Sequence, residues 1–147
     1  MKPVYVADSK RLTLAGAKKI MATATALGEQ AGIALSVVIV DTGGHVILVE
    51  RMDGGRFHTV HSAATKAVCA ASSRRPTGPQ GAQGQPLDPI HAIGLAVAAG
   101  GDRWTAMEGG CPILVDGECI GGIGVSGGSF EFDEGVARKA AAAIPAP

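Results

Sequence analysis

Gly121-Gly122-Ile123-Gly124-Val125-Ser126-Gly127-Gly128 ends a β-branched run and stands just before Ser129, an N-cap residue for a helix carrying Glu131, Asp133 and Glu134 in its first turns. Acidic groups there complement the helix dipole, so the stretch is a strand-to-helix junction. Two catalytic motifs overlap in it. Gly122, Gly124 and Gly127 match the dinucleotide fingerprint G-x-G-x-x-G, and Gly124 to Gly128 match the nucleophile elbow G-x-S-x-G. Context removes both. A dinucleotide site needs a further strand with an acidic residue about 20 positions on, whereas one short helix follows before Pro147. A serine elbow has its histidine downstream, and the last histidine is His91. What survives is a loop without side-chain bulk that delivers backbone N–H groups to a helix N-terminus, a place suited to an anion. Gly127 and Gly128 are therefore expected to hold a ligand carboxylate.

Working outward, Pro112 to Val115 and Glu118 to Val125 flank Asp116-Gly117, a strong hairpin turn signal. A second pair, Leu35 to Val40 and His45 to Glu50, is joined by Asp41-Thr42-Gly43-Gly44 and reads as another hairpin. Both of its strands are apolar enough to be covered. Trp104 to Met107 is expected as a fifth strand. Thr13 caps a helix whose Leu14, Ala17, Ile20, Met21, Ala24 and Leu27 recur at helical spacing, and Gly32 ends it. His58 to Ser73 is an Ala-rich helix with Val60, Ala63, Ala64, Ala67 and Ala71 on one face. Its other face collects His58, His61, Ser62, Thr65, Lys66, Cys69, Ser72 and Ser73. Arg74 to Pro86 is a long Gly/Pro/Gln loop. Asp88-Pro89 then opens a short helix through Ile90, Ile93 and Val97, stopped by Gly100-Gly101.

The chain has 147 residues and a formal charge of zero, room for one domain over residues 1–147. No basic field points to nucleic acid, so small molecules and further copies of the chain are the expected partners. Aromatic residues make up only 3%, and the core must come from Ala, Val, Ile and Leu. Cys69, Cys111 and Cys119 have no paired spacing, which fits neither a disulfide framework nor a zinc site but does fit a reducing cytoplasm. Met1 to Lys10 lacks a signal-length apolar run, and no segment reaches membrane-spanning length.

Val38-Ile39-Val40-Asp41-Thr42-Gly43-Gly44-His45, Arg51-Met52-Asp53-Gly54, Lys66-Ala67, and Gly109-Gly110-Cys111-Pro112-Ile113 through Asp116-Gly117 to Gly128, then Asp133, resemble the GlcG/HbpS-like family. That family also includes the C-terminal domain of PduO-type proteins. The resemblance, over about Thr13 to Ala143, implies an α+β domain with an antiparallel sheet of about five strands flanked by helices, assembling into dimers or higher oligomers. It also implies one of two roles. Some relatives bind haem, and hydroxylaminobenzoate lyases are similar to this chain.

The main expectation is a cofactor-independent lyase that expels ammonia from a small carboxylated aromatic. His58, His61 and Glu108 are its proton carriers, since imidazoles near neutral pH and a partly desolvated carboxylate suit that chemistry. Arg51, positioned by Asp53, together with Lys66, Gly127 and Gly128, would bind the substrate. The alternatives are a haem or tetrapyrrole-binding protein with a histidine as axial ligand, and an oligomeric accessory protein without catalysis. No metal site is expected, because His58-x-x-His61 supplies two ligands where zinc wants three or four. Cys69, beside Lys66 on the polar face, is a candidate activated thiol, while Cys111 and Cys119 read as packed apolar groups.

Overall fold

The structure, a computed structural model, describes residues 2–145. Helix α1 (Leu14–Ala31) is followed by β1 (Ser36–Asp41), β2 (Val46–Arg51), α2 (His58–Ser73), α3 (Pro89–Ala99), β3 (Gly110–Val115), β4 (Glu118–Ser126) and α4 (Phe130–Ala141). The caps form as their chemistry requires: Thr13, Asp88 and Ser129 each accept a backbone N–H from the first helical turn, and Gly32 closes α1 in the left-handed conformation.

The four strands form one antiparallel sheet in the order β2-β1-β4-β3. Both edges are marked in the sequence. Pro112, which has no amide to donate, lies in edge strand β3, and Asp116 and Gly117 take positive φ values of 51° and 77° in the tight turn to β4. Strand β2, expected to be covered, is instead an exposed edge, because only β1 pairs with it and α1 reaches over part of one face. Trp104 to Met107 is not a fifth strand. It runs against α2, where the Thr105 carbonyl accepts a weak bond from Cys69 Sγ at 3.7 Å, so it is not available to either sheet edge.

Period-two alternation sorts the central strands between two cores. Val37 and Ile39 of β1 and Ile123 and Val125 of β4 face α1 and α4, and Val38 and Val40 face α2 with Ala63, Ala67 and Ala71. The glycine run gets its meaning here. Gly122 and Gly124 lie on the α2 side of β4, and a Cβ at either would overlap a helix carbonyl oxygen, that of Ala67 or Ala63. Helix α2 therefore rests directly on the backbone of the sheet, alanine against glycine.

That close approach rotates the buried face of α2 away from its expected position. Ala63, Ala67 and Ala71 are buried as the periodicity requires, but Thr59, Thr65, Lys66 and Cys69 are buried too. Small residues let the helix sink until its flanks are covered.

Candidate functional site

The junction after β4 does hold an anion, and the anion is the chain's own. Asp133, 2% exposed, accepts the Gly128 amide at 2.9 Å through Oδ1 and faces Lys66 Nζ at 3.5 Å through Oδ2. Lys66 Nζ also donates to the Val125 carbonyl at 2.8 Å. Burial pushes the Lys66 ammonium below the ordinary lysine range, against the attraction of Asp133. Burial likewise pushes the Asp133 carboxyl up, opposed by the Gly128 amide and Lys66. Lys66 and the glycine amides, expected to bind substrate, are thus joined in an internal latch that ties α2, β4 and α4 together. Ser126 is equally committed: its Oγ accepts from Ser62 Oγ at 2.9 Å, beside a Ser36–Thr59 hydroxyl pair at 2.8 Å.

The remaining expected residues are spread over several surfaces. His58 stands exposed at the first turn of α2, its ring edge-on to Phe57 with centroids 6.0 Å apart. His61 opens onto a slot of about 390 Å³ walled by α3 and Trp104 to Met107. Glu108 lines a different cleft, of about 440 Å³, with Arg75, Glu134 and Arg138. Arg51 and Asp53 lie in a third, beside Glu29 and Glu50. The three proton carriers of the lyase reading therefore do not meet in one cleft. Cys69 is buried, and desolvation raises its thiol pKa, the opposite of an activated nucleophile. Cys119, expected to be packed, is half-buried and lines a cavity.

That cavity is a site the sequence reading passed over. It measures about 880 Å³ and lies where the β1–β2 turn, the C-terminal end of α2 and the segment after α3 converge. His45, Cys69, Cys119, Arg74, Arg103 and Trp104 line it, with Val68 and Ala71 as apolar wall. Such a volume falls within the roughly 300–1,000 Å³ of ligand pockets. Asp41 builds its rim: Oδ1 accepts the Gly43 and His45 amides at 2.9 and 3.0 Å, fixing the turn that presents the imidazole. Among the described residues the His45 ring has no hydrogen-bond partner and no cluster of three metal-ligating side chains occurs. Two signals were legible: His45 closes the Asp-Thr-Gly-Gly turn, and the chain's single tryptophan follows an arginine. Neither falls on a helical stripe, so periodicity did not find them.

Residues 12–142 match the family described as haem degrading protein HbpS-like. The chain belongs to that family. A Citrobacter freundii protein of 15.0 kDa, from a dhaT-dhaS intergenic region, is 30% identical over 129 residues, 88% of this chain and 89% of its own length. Among solved structures, protein ORFY of Klebsiella pneumoniae superposes with a TM-score of 0.83 at 26% identity, covering 99% of this chain and all of that one. PduOC, solved as a heme complex, superposes with a TM-score of 0.79 at 28% identity over 94% of this HbpS-like chain and 98% of its own.

Proposed function

We propose that this HbpS-like chain binds haem or a related tetrapyrrole in the 880 Å³ cavity, with His45 as the protein ligand to the iron. The observation that carries the reading is the convergence of an exposed imidazole with an indole and apolar side chains on one cavity of about 880 Å³. The donor set suits the group. Imidazole is a common axial ligand, and Trp104 offers a planar face. Haem, when bound, would bring an iron centre whose coordination the protein tunes. The relation to PduOC and to the haem-degrading family description supports this over the lyase reading.

Haemin titrated into the purified protein should give a one-to-one Soret shift and quench the emission of Trp104, the only tryptophan. His45→Ala should abolish the shift. A protein that neither shifts the Soret band nor loses Trp104 emission overturns the reading, and a full shift in His45→Ala removes that residue as ligand.

The same reading includes self-association through α3. This helix buries no residue, and Ile90, Ile93 and Val97 are 80%, 65% and 76% exposed. Together they present on the order of 400 Å² of apolar surface, enough to mark an interaction face and about half of what one partner buries in a standard interface. With no acidic or basic side chain except His91, α3 suits a second copy of itself. Sedimentation equilibrium should give a dimer or larger, shifted toward monomer by Ile93→Glu. A monomer at micromolar concentration would refute it.

A further inference from the structure

Two cationic side chains converge on the cavity. Arg74 and Arg103 both line it, from the C-terminal cap of α2 and the turn after α3. Among the described residues neither is within ion-pair distance of a carboxylate, a condition shared by most of the lysines and arginines; what sets these two apart is that both face one cavity. Asp102 is the only acidic lining residue, so two arginines and one aspartate leave a formal charge of +1 on the wall.

The backbone at Arg74 adds a second observation. It closes α2 in the left-handed conformation, with φ 60° and ψ 29°, and is one of only two non-glycine residues with positive φ among those described. A helix end of this kind is ordinarily occupied by glycine, which adopts it without steric cost. Gly32 does so at the end of α1. An arginine held in that conformation beside a cavity carries a backbone cost that a role of its side chain in the cavity would offset. One internal benefit exists, the complement of a cation to the helix C-terminal dipole, since one turn earlier the helix carries Ala70 and Ala71, which are buried.

We propose that Arg74 and Arg103 form a carboxylate clamp that selects ligands of this cavity by their acidic side chains. This rests on the tetrapyrrole reading of the same site and deepens it: the ligand class is a planar macrocycle bearing free propionates, recognised independently of its metal. Guanidinium groups match carboxylates through paired N–H···O bonds, and a partly apolar cavity strengthens such bonds relative to open water.

The test is a fluorescence titration of Trp104 with metal-free protoporphyrin IX and with its dimethyl ester, which keeps the macrocycle but removes both charges. Wild type should bind the diacid at least about tenfold more tightly than the ester, the factor expected for one charge-assisted contact. Arg74→Gln and Arg103→Gln should each weaken the diacid by about tenfold and leave the ester unchanged. Arg74→Gly guards against misfolding as an explanation, because it relieves the strained cap. It should unfold at higher denaturant than wild type and still bind the diacid more weakly. The clamp is overturned if wild type holds ester and diacid within twofold, or if the arginine variants bind the diacid as wild type does, while binding itself stands. Absence of quenching by diacid, ester and haemin alike sinks the tetrapyrrole reading and the clamp with it.

Discussion

Gly124→Ala should be among the most damaging single-atom-scale changes in this chain. Gly124 sits in the central strand β4, paired to Val38 on one side and Gly110 on the other. Its missing Cβ would lie 2.7 Å from the Ala67 amide nitrogen and 2.8 Å from the Ala63 carbonyl carbon, and would overlap the Ala63 oxygen. Ordinary contacts are about 3.5 Å or more, so α2 must lift by the better part of an ångström or more. These obstacles are backbone atoms, and no side-chain rotation relieves them. Lifting α2 stretches two bonds that anchor it to β4, Lys66 Nζ to the Val125 carbonyl at 2.8 Å and Ser62 to Ser126 at 2.9 Å. Overpacking a core costs about 1–3 kcal/mol, and each weakened buried hydrogen bond adds about 1 kcal/mol. The expected loss is therefore about 3–5 kcal/mol, a large part of the roughly 5–15 kcal/mol that holds a domain folded. Equilibrium urea unfolding followed by far-ultraviolet circular dichroism measures it as a fall in midpoint. Gly135→Ala is the matched control: this glycine is inside α4 with nothing near its Cβ position, and alanine should stabilise by about 0.5–1 kcal/mol. A Gly124→Ala protein within about 1 kcal/mol of wild type at an unchanged slope would refute direct seating of α2 on the glycine strand.

The Lys66–Asp133 latch predicts strong coupling: Lys66→Met, which leaves a buried carboxylate without its cation, should cost about 3–5 kcal/mol, and adding Asp133→Asn should recover part of that in a double-mutant cycle. The pair also shapes stability against pH. With its pKa raised above 3.8, Asp133 binds a proton more tightly in the native state, so its contribution falls as pH rises through the window from 3.8 to the raised value. Lys66, lowered from 10.5, is more protonated when unfolded, so stability rises with pH from its lowered value up to 10.5. Both slopes should flatten in the double variant; unchanged slopes would show that other groups dominate. A thiol reagent at neutral pH should modify Cys119 quickly and leave Cys69 and Cys111 protected, since both are buried with raised thiol pKa values. Rapid labelling of all three native thiols would contradict that burial.

The contrast between α2 and the ligand cavity shows what was legible in the residues and why. Elements were readable wherever a local rule had one solution: Thr13, Asp88 and Ser129 as caps, Asp116-Gly117 as a tight turn, and the continuous apolar run Val37 to Val40 as a strand buried on both sides. The glycine run was readable as a junction but not in its purpose. A glycine that makes a turn and a glycine that admits a helix look alike in one dimension, and the difference lies in Ala63 and Ala67, more than fifty residues away. The same distance hid the latch. Lys66 and Asp133 fall on separate helices, each with an innocent local reading as a solvated cation and a dipole-compensating carboxylate, and only the depth to which Ala against Gly lets α2 sink turns them into a buried pair. A helix face assigned at 100° per residue presumes side chains that hold neighbours at ordinary distance. Where residues are small on both surfaces that presumption fails and the buried arc widens, so Thr65, Lys66 and Cys69 went inside. The cavity escaped for the complementary reason. His45, Arg74, Arg103 and Trp104 come from a turn, a cap and a loop, which carry no period at all, and what they share is a cavity that only the folded chain assembles.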